Sequence, residues 1–290
     1  MIVFALASGL YLLGHINRLH SKSGQDLLDA SVLQQATDAL LARAVSDANR
    51  PGSLPCPALN SDGTAPVSSP CPTFIGWLPW RTLDLPDLRD SSGERLWYAL
   101  SPAFQDNASV NSTSVSALTL DGSTDIAAVV IAPGFALPSQ NRPSNNAADY
   151  LDAKDGNPAT SNSDGDSTYF SGPSGDKFND KALSLTTSIL FSGVSKRILG
   201  EIRYAYTAGS ATLPPFADSD GDGLSNSGIN TGQFPYKNPE YATIASPSWY
   251  SSSTNHYWHA SLESNGWFPL VVYARSSKTI SLNGQVVTLP

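Results

Sequence analysis

The sequence predicts an α+β fold in which one long N-terminal α-helix projects from a β-rich, loop-rich C-terminal globular domain. All 21 prolines lie at residue 51 or beyond, so residues 2–48 are free to form one uninterrupted helix. The rest of the chain has short apolar runs separated by Gly, Pro, Ser, Asn and Asp, a pattern typical of strands and turns. We therefore divide the chain into a helix at residues 1–50 and a globular surface domain at residues 51–290.

The composition fits a folded, water-soluble body. Hydrophobic residues make up 40% of the 290 residues, and the mean hydropathy is −0.17. The formal net charge is −8, and the acidic excess lies in residues 51–290, because acidic and basic side chains balance in residues 1–50. Nucleic acid binding depends on Lys and Arg contacting phosphates, so this charge argues against a nucleic acid partner and is compatible with bound cations.

The first 14 residues are apolar and carry no charged side chain. A helix of that length is about 21 Å long, whereas spanning a bilayer takes about 20 apolar residues. The segment also lacks the basic region and the small-residue cleavage site of a secretory signal. We therefore expect other helices, or a membrane in transit, to cover it.

The second half of the predicted helix has an apolar stripe. Leu33, Ala36, Leu40 and Ala44 recur at offsets of 3, 7 and 11, which places them on one helix face. The helix is expected to end near Asn49, just before Arg50-Pro51-Gly52. About 47 residues give a helix of ~70 Å, so we expect one half to pack on the globular domain while the other half projects.

Four later elements follow in order along the chain. They are a buried strand or short helix at 96–100, a buried strand at 126–132 ended by Pro133-Gly134, a helix at 184–206, and a C-terminal strand pair around Asn283-Gly284. Asn-Gly between two apolar runs is a strong hairpin signal. Residues 139–178 are rich in Ser, Asn, Asp and Gly and predict a long loop.

The two cysteines are Cys56 and Cys71, each between prolines. We expect them to form a disulfide, which would close a loop of about 15 residues and add ~3 kcal/mol on the chain-entropy model. The alternative is a pair of unpaired buried thiols. A disulfide implies an oxidising compartment outside the cytoplasm.

One acidic loop has the oxygen spacing of a calcium site. Asp218, Asp220 and Asp222 alternate, followed by the main-chain carbonyl of Leu224 and the side chain of Asn226. An EF-hand would carry Glu where Ile229 stands and would have flanking helices, so this is not an EF-hand. It is either a simpler Ca²⁺ loop completed by a distant ligand or an acidic turn.

The chain is predicted not to be an enzyme. It has no G-x-S-x-G, no H-E-x-x-H and no phosphate-binding loop. Asp87, Asp90 and Glu94 could be imagined as glycosidase carboxylates. They are interleaved with Arg81, Arg89 and Arg95, however, which favours structural ion pairs.

Several segments resemble bacterial type IV pilin-like proteins. The similarity covers about residues 50–135 through RPGSLPCPALNSDG, GWLPWRTLDLPDLRDSSGERLWYALSPAF and AAVVIAPG, with FNDKALSLTT and NGWFPLVVYA further on. The resemblance implies a pilin-like fold and a leader cleaved before the apolar segment. It also implies transient insertion in the inner membrane, a pilus assembly machinery as partner, and export into an extracellular, cell-surface filament.

The resemblance further implies self-association into a helical filament through the N-terminal helix. The expected polymerisation residues are Met1, Ile2, Val3, Phe4, Leu6, Leu10, Tyr11, Leu12 and Leu13. Pilins usually carry Glu at the fifth mature position, where this chain has Ala5, so a mature Met1 ammonium would need another partner. The alternative function is a minor or tip pilin-like adhesin, or a secretion-system pseudopilin, that binds a glycan or cargo.

Overall fold

The computed structural model describes residues 2–106, 109–208, 213–237 and 257–290, and for residues 2–21, 205, 208 and 257–260 it describes the backbone alone. The helices are α1 (Ile2–Ser46), α2 (Thr187–Ala208) and α3 (Tyr257–Ser264). The strands are β1 (Ile75–Trp77), β2 (Trp97–Leu100), β3 (Leu118–Leu120), β4 (Ser123–Ala132), β5 (Thr168–Tyr169), β6 (Lys181–Thr186), β7 (Thr231–Gln233), β8 (Val272–Ala274), β9 (Thr279–Leu282) and β10 (Gln285–Thr288). This confirms the α+β class, while the pilin-like form of that class stays a prediction.

Helix α1 is continuous, as predicted, and ends at Ser46. Its predicted stripe is buried: Leu33 is 4% exposed, and Ala36, Leu40 and Ala44 are 0% exposed. The stripe packs in one core with α2, β4 and β6. From α2, the Arg197 guanidinium donates to the main-chain oxygens of Val45 and Asp47, which satisfies carbonyl groups at the end of α1.

Strand β4 is the centre of the first sheet and contacts β2, β3 and β6. The predicted buried strand at 126–132 is therefore confirmed, although it begins earlier, at Ser123. Val130 and Ala132 join the core under the helices, and Val129 and Ile131 join a second core on the opposite face. Burial on both faces explains why this segment is almost continuously apolar.

The second face of the sheet is covered by residues 133–180, here called the 133–180 loop, which connect β4 to β6. Tyr150 of this loop lies against Trp77 and Trp97, with ring centroids 4.8 and 5.4 Å away, and the two Trp rings are 4.4 Å apart. Three short 3₁₀ turns and β5 lie within the segment. The predicted long loop therefore acts as a folded cover for the sheet.

The helix predicted at 184–206 is confirmed for α2, but the assignment of its first three residues was wrong because they belong to β6. Leu183 of β6 pairs with Val130 of β4, and the ladder extends to Thr186. Inter-strand hydrogen bonds therefore override the local helical pattern at these positions. At 96–100, where strand and short helix were both open, β2 forms.

Strands β7 to β10 form a second sheet, which packs on α2 through β9 and β10. Between β9 and β10, Asn283 and Gly284 have φ values of 49° and 76°. Positive φ at both central positions is the geometry of a type I′ turn, so the predicted hairpin is confirmed.

Candidate functional site

The region where α1 leaves the globular domain is the first candidate site. From Asp29 onward one face of the helix is buried, whereas residues 22–28 are exposed apart from half-buried Gln25. Leu27 and Leu28 are 71% and 48% exposed, which is unusual for two adjacent leucines on a helix. The sequence analysis did not identify these two leucines. Their position off the helix face of the stripe that begins at Leu33 could have indicated that they are exposed.

The predicted polymerisation residues lie upstream of this exit. Met1 lies outside the described residues, and from Ile2 to Leu13 the structure describes the backbone as helical without describing the side chains. What it establishes is that this segment continues the same helix that packs on the domain.

An ion-pair cluster fixes α1 to the first sheet at its exit. The Lys181 ammonium of β6 binds the carboxylates of Asp26 and Asp29, the latter at 2.6 Å. The other Asp29 oxygen accepts the main-chain N–H of Ser91 at 2.7 Å. Burial opposes the charge of Lys181, but the hydrogen bonds that its ammonium group donates to both carboxylates outweigh this effect and raise the pKa of Lys181. This cluster therefore joins α1 to β6 and to Ser91 at the point where the helix leaves the domain.

A cleft of about 630 Å³ lies beside this cluster, between α1 and the 133–180 loop. Phe135 lines it and is 59% exposed. Asn179 also lines it and donates from Nδ2 to the Phe135 carbonyl at 2.6 Å. The Asn179 Oδ1 atom is buried and has no hydrogen-bond partner in the described part of the chain.

The acidic loop at 218–226 is the second candidate site. One oxygen from each of Asp218, Asp220 and Asp222 lies within 4.8 Å of the others. Asp218 is fully buried, and its carboxylate accepts main-chain N–H groups from Gly221 and Gly223, each at 2.7 Å. Sequence spacing therefore brought the three predicted carboxylates together, as a cation site requires.

The side chain of Asn226, another predicted ligand, is arranged differently, and Leu224 is bonded through its main-chain N–H. The Asn226 Oδ1 atom accepts the N–H of Ser219 at 2.6 Å, so it is turned toward the loop backbone. The N–H of Leu224 donates to Asp222 at 2.7 Å. The chain around Asp218 is held by two main-chain bonds to Gln233 of β7, at 3.0 and 2.8 Å. The loop is thus anchored to β7 at Asp218, whereas Asp220 and Asp222 are exposed to solvent.

The predicted disulfide is present: Cys56 and Cys71 are bonded and buried. The predicted ion pairs also form, since Asp87 binds Arg95 at 2.7 Å and Arg89 at 2.8 Å. Asp90 instead accepts main-chain N–H groups, among them that of Gly134 at 2.8 Å. These carboxylates therefore have structural partners.

No protein-family model matches this chain, and comparisons with curated proteins and with solved structures found no match either. Within the described residues, no helix has an apolar stretch sufficient to cross a bilayer. The pilin-like resemblance therefore stays a prediction, and the functional argument depends on the helix, the disulfide and the acidic loop.

Proposed function

We propose that this protein is the structural subunit of an extracellular, type IV pilus-like filament, in which the α1 helices of neighbouring copies pack against one another. The observation that carries the proposal is the exit of α1. One helix of 45 residues carries a buried stripe near its C-terminal end, an exposed stretch with two adjacent leucines before it, and an uncharged apolar sequence at residues 2–14.

The length of α1 supports helix-on-helix assembly. Ile2 and Asp29 are about 40 Å apart along the helix, and the described side-chain contacts between α1 and the domain begin at Lys22, which donates to the Ser174 carbonyl at 3.4 Å. An apolar helix surface needs cover, and a second copy offers the same surface. Repeated head-to-tail contacts between identical copies generate a helical filament when the rotation does not close.

The disulfide supports a location outside the cytoplasm, because such bonds persist in oxidising compartments. In this proposal the subunit is inserted transiently in the inner membrane, where the assembly machinery adds it to the base of the filament. Cleavage of a leader before the apolar segment would precede that step.

Deleting residues 2–13 is expected to abolish filaments and release a folded, soluble monomer. The reason is that the deletion removes the apolar helix surface while leaving the buried stripe from Leu33 to Ala44 intact. Negative-stain microscopy of sheared cell-surface material, with mass spectrometry of its subunits, measures the filaments, and size-exclusion chromatography measures the monomer. If filaments still form without these residues, the filament proposal is wrong.

Point variants give a matched comparison. Leu10→Lys places a charge on the apolar segment, and we expect it to prevent assembly. Leu59→Lys places the same charge at a position of the globular domain that is 51% exposed, and assembly should proceed normally. Equal effects of the two variants would show that added charge, rather than its position, limits assembly.

We further propose that the 218–226 loop binds Ca²⁺ through Asp218, Asp220 and Asp222. Three carboxylates within 4.8 Å repel one another, and a divalent cation would relieve that repulsion. At a free Ca²⁺ concentration of 100 times the dissociation constant, the expected stabilisation is about 2.7 kcal/mol. Thermal unfolding of the full chain in Ca²⁺ and in EGTA measures it.

The variant Asp220→Asn with Asp222→Asn should lose this calcium response. Asp164→Asn with Asp166→Asn, in the similar Asp-Gly-Asp sequence of the 133–180 loop, is the matched control and should keep it. Identical melting of the wild-type chain in Ca²⁺ and EGTA would contradict the calcium site and leave the filament proposal untouched.

A second function, a minor or tip adhesin, is favoured by the cleft beside Phe135. Its volume and exposed aromatic ring suit a small ligand such as a sugar, and ligand sites are commonly clefts of about 300–1,000 Å³. Stoichiometry separates the two functions. A main subunit should dominate purified filaments, whereas an adhesin should be rare in them.

A further inference from the structure

Two carboxyl groups of the 133–180 loop are buried together. Asp152 is 2% exposed and Asp180 is 0% exposed. The main-chain N–H of Asp152 and the Nδ2 of Asn162 both donate to Asp180 Oδ2, each at 2.8 Å. Asp152 accepts from Gln140 Nε2 at 2.8 Å and from the main-chain N–H of Asn179 at 2.7 Å. These bonds join distant parts of the loop to the residue that precedes β6.

The other oxygen of Asp180 has no hydrogen-bond partner among the described residues, although it is buried. An ionised carboxylate with one unpaired buried oxygen is costly, and a neutral acid at that position is much less so. Because Oδ2 already accepts two N–H groups, the site for a proton is Oδ1.

The charged groups around the pair do not neutralise it. Arg142 is the cation that faces it, but its guanidinium donates to the main-chain oxygens of Gly134, Asp149 and Tyr150 and to the Gln140 side chain. It also forms an ion pair with Glu94 at 3.5 Å. From α1, the carboxylates of Asp26 and Asp29 are bound by Lys181. Asp149, another acid of the loop, is half-buried and accepts a hydrogen bond from the Ser144 hydroxyl at 2.6 Å.

Burial and then the neighbouring Asp152 carboxylate raise the pKa of Asp180 well above its ordinary 3.8, and Arg142 opposes this only in part. Burial likewise raises the pKa of Asp152. Both pKa values are shifted in the direction that the geometry predicts, since two like charges in one buried site disfavour the state in which both groups are ionised.

We propose that the buried Asp180 keeps a proton beside the Asp152 carboxylate and that the two groups form a pH-dependent latch, which holds the 133–180 loop on the sheet while Asp180 is protonated and weakens when both groups ionise. This loop carries Tyr150 onto the Trp77–Trp97 pair and forms one wall of the cleft beside Phe135. The pH of the medium would therefore control how firmly the loop covers the sheet and how well it maintains the wall of the cleft. It depends on the fold and not on the filament proposal.

The sign of the pH effect follows from linkage. In the unfolded chain Asp180 loses its proton near pH 3.8, whereas in the folded chain it keeps the proton to a higher pH. Between these two values the folded state binds more protons, so this contribution to stability falls as the pH rises. Each pKa unit of difference is a tenfold change in the folding equilibrium.

The variant Asp180→Asn tests the latch, because the amide stays neutral at every pH and keeps an oxygen for the N–H of Asp152. Urea unfolding of the full chain is measured from pH 4 to pH 8. We expect the folding equilibrium of the variant to exceed that of the wild type by at least tenfold at pH 8, with the difference vanishing near pH 4. Parallel curves for the two proteins would overturn the latch.

Asp149→Asn is the matched control on the same loop. Hydrogen bonds from the Ser144 side chain and the Asn141 main chain lower the pKa of Asp149, so ionisation of this group stabilises the folded wild type. The stability of Asp149→Asn relative to the wild type should therefore fall as the pH rises through the acidic range, the opposite direction to Asp180→Asn. A local readout is trypsin cleavage at pH 8 after Lys154 and Lys177, within the loop. Cleavage there should be at least tenfold slower in Asp180→Asn than in the wild type, with cleavage after Lys278 unchanged.

If Asp180→Asn does not fold, carboxyl ¹³C NMR of the wild-type chain decides the matter. The latch predicts that one of the two buried carboxyl groups remains protonated above pH 5. Two carboxyl signals that both titrate near pH 4 would overturn it.

Discussion

A chain in which Cys56 and Cys71 are both replaced by serine is expected to lose about 3 kcal/mol of unfolding free energy. The disulfide spans 15 residues of sequence, and its removal releases that loop in the unfolded state. The loop is also part of the folded body. Ala58 exchanges two main-chain hydrogen bonds of 3.0 Å with Trp77, so β1 loses a constrained neighbour. Urea unfolding at constant pH measures the loss.

Reduction provides the control for this prediction. Dithiothreitol should lower the stability of the wild-type chain by a similar amount and leave the double-serine variant unchanged. A loss below about 1 kcal/mol would mean that native contacts around Ala58 hold the loop without the bridge, in contrast to the chain-entropy estimate.

The elements that sequence reasoning located best are those defined by local patterns. The stripe of Leu33, Ala36, Leu40 and Ala44 predicted the packed face of α1, because helical periodicity needs no knowledge of the partner. Likewise, Asn283-Gly284 predicted its hairpin because the turn itself demands positive φ at both positions. The carboxylates of the 218–226 loop came together for the same reason, since neighbours in one tight loop must be close in space.

The features that escaped sequence reasoning arise from contacts between distant residues. Leu185 has a helical neighbourhood in sequence, yet its pairing with Ala128 places it in a strand. Asp152 and Asp180 lie 28 residues apart, and only the folded loop brings them together. Residues 139–178 looked like a simple loop because their polar composition hides Tyr150, which covers the aromatic face of the sheet.

The exit of α1 combines both situations. Leu27 and Leu28 are visible in the sequence as apolar residues off the stripe, but their exposure depends on where the domain stops covering the helix. At that boundary Lys181 binds Asp26 and Asp29, across 155 and 152 residues of sequence. Local pattern therefore predicted the helix, and tertiary contacts determine which part of it stays uncovered.

Leu40→Ala is expected to cost about 2–5 kcal/mol of unfolding free energy, the usual range for truncating a fully buried leucine. Leu40 is 0% exposed and lies in the same core as Leu190 and Val194 of α2. Truncation would leave a cavity between α1 and α2, and Gly193 already brings these helices so close that a Cβ there would lie 2.9 Å from Val45. Little room remains for the helices to move together and fill it.

Leu28→Ala removes the same atoms from the same helix, but at a position that is 48% exposed. Its cost to folding should stay within about 0.5 kcal/mol, as for ordinary surface substitutions. For filament assembly, the proposal assigns Leu28→Ala a direct effect that its small folding cost does not suggest. Leu28→Ala should weaken filaments while leaving the melting temperature unchanged. Equal losses of stability for the two variants would mean that α1 is covered at Leu28 as well, and the exit of the helix would then lie closer to the N-terminus.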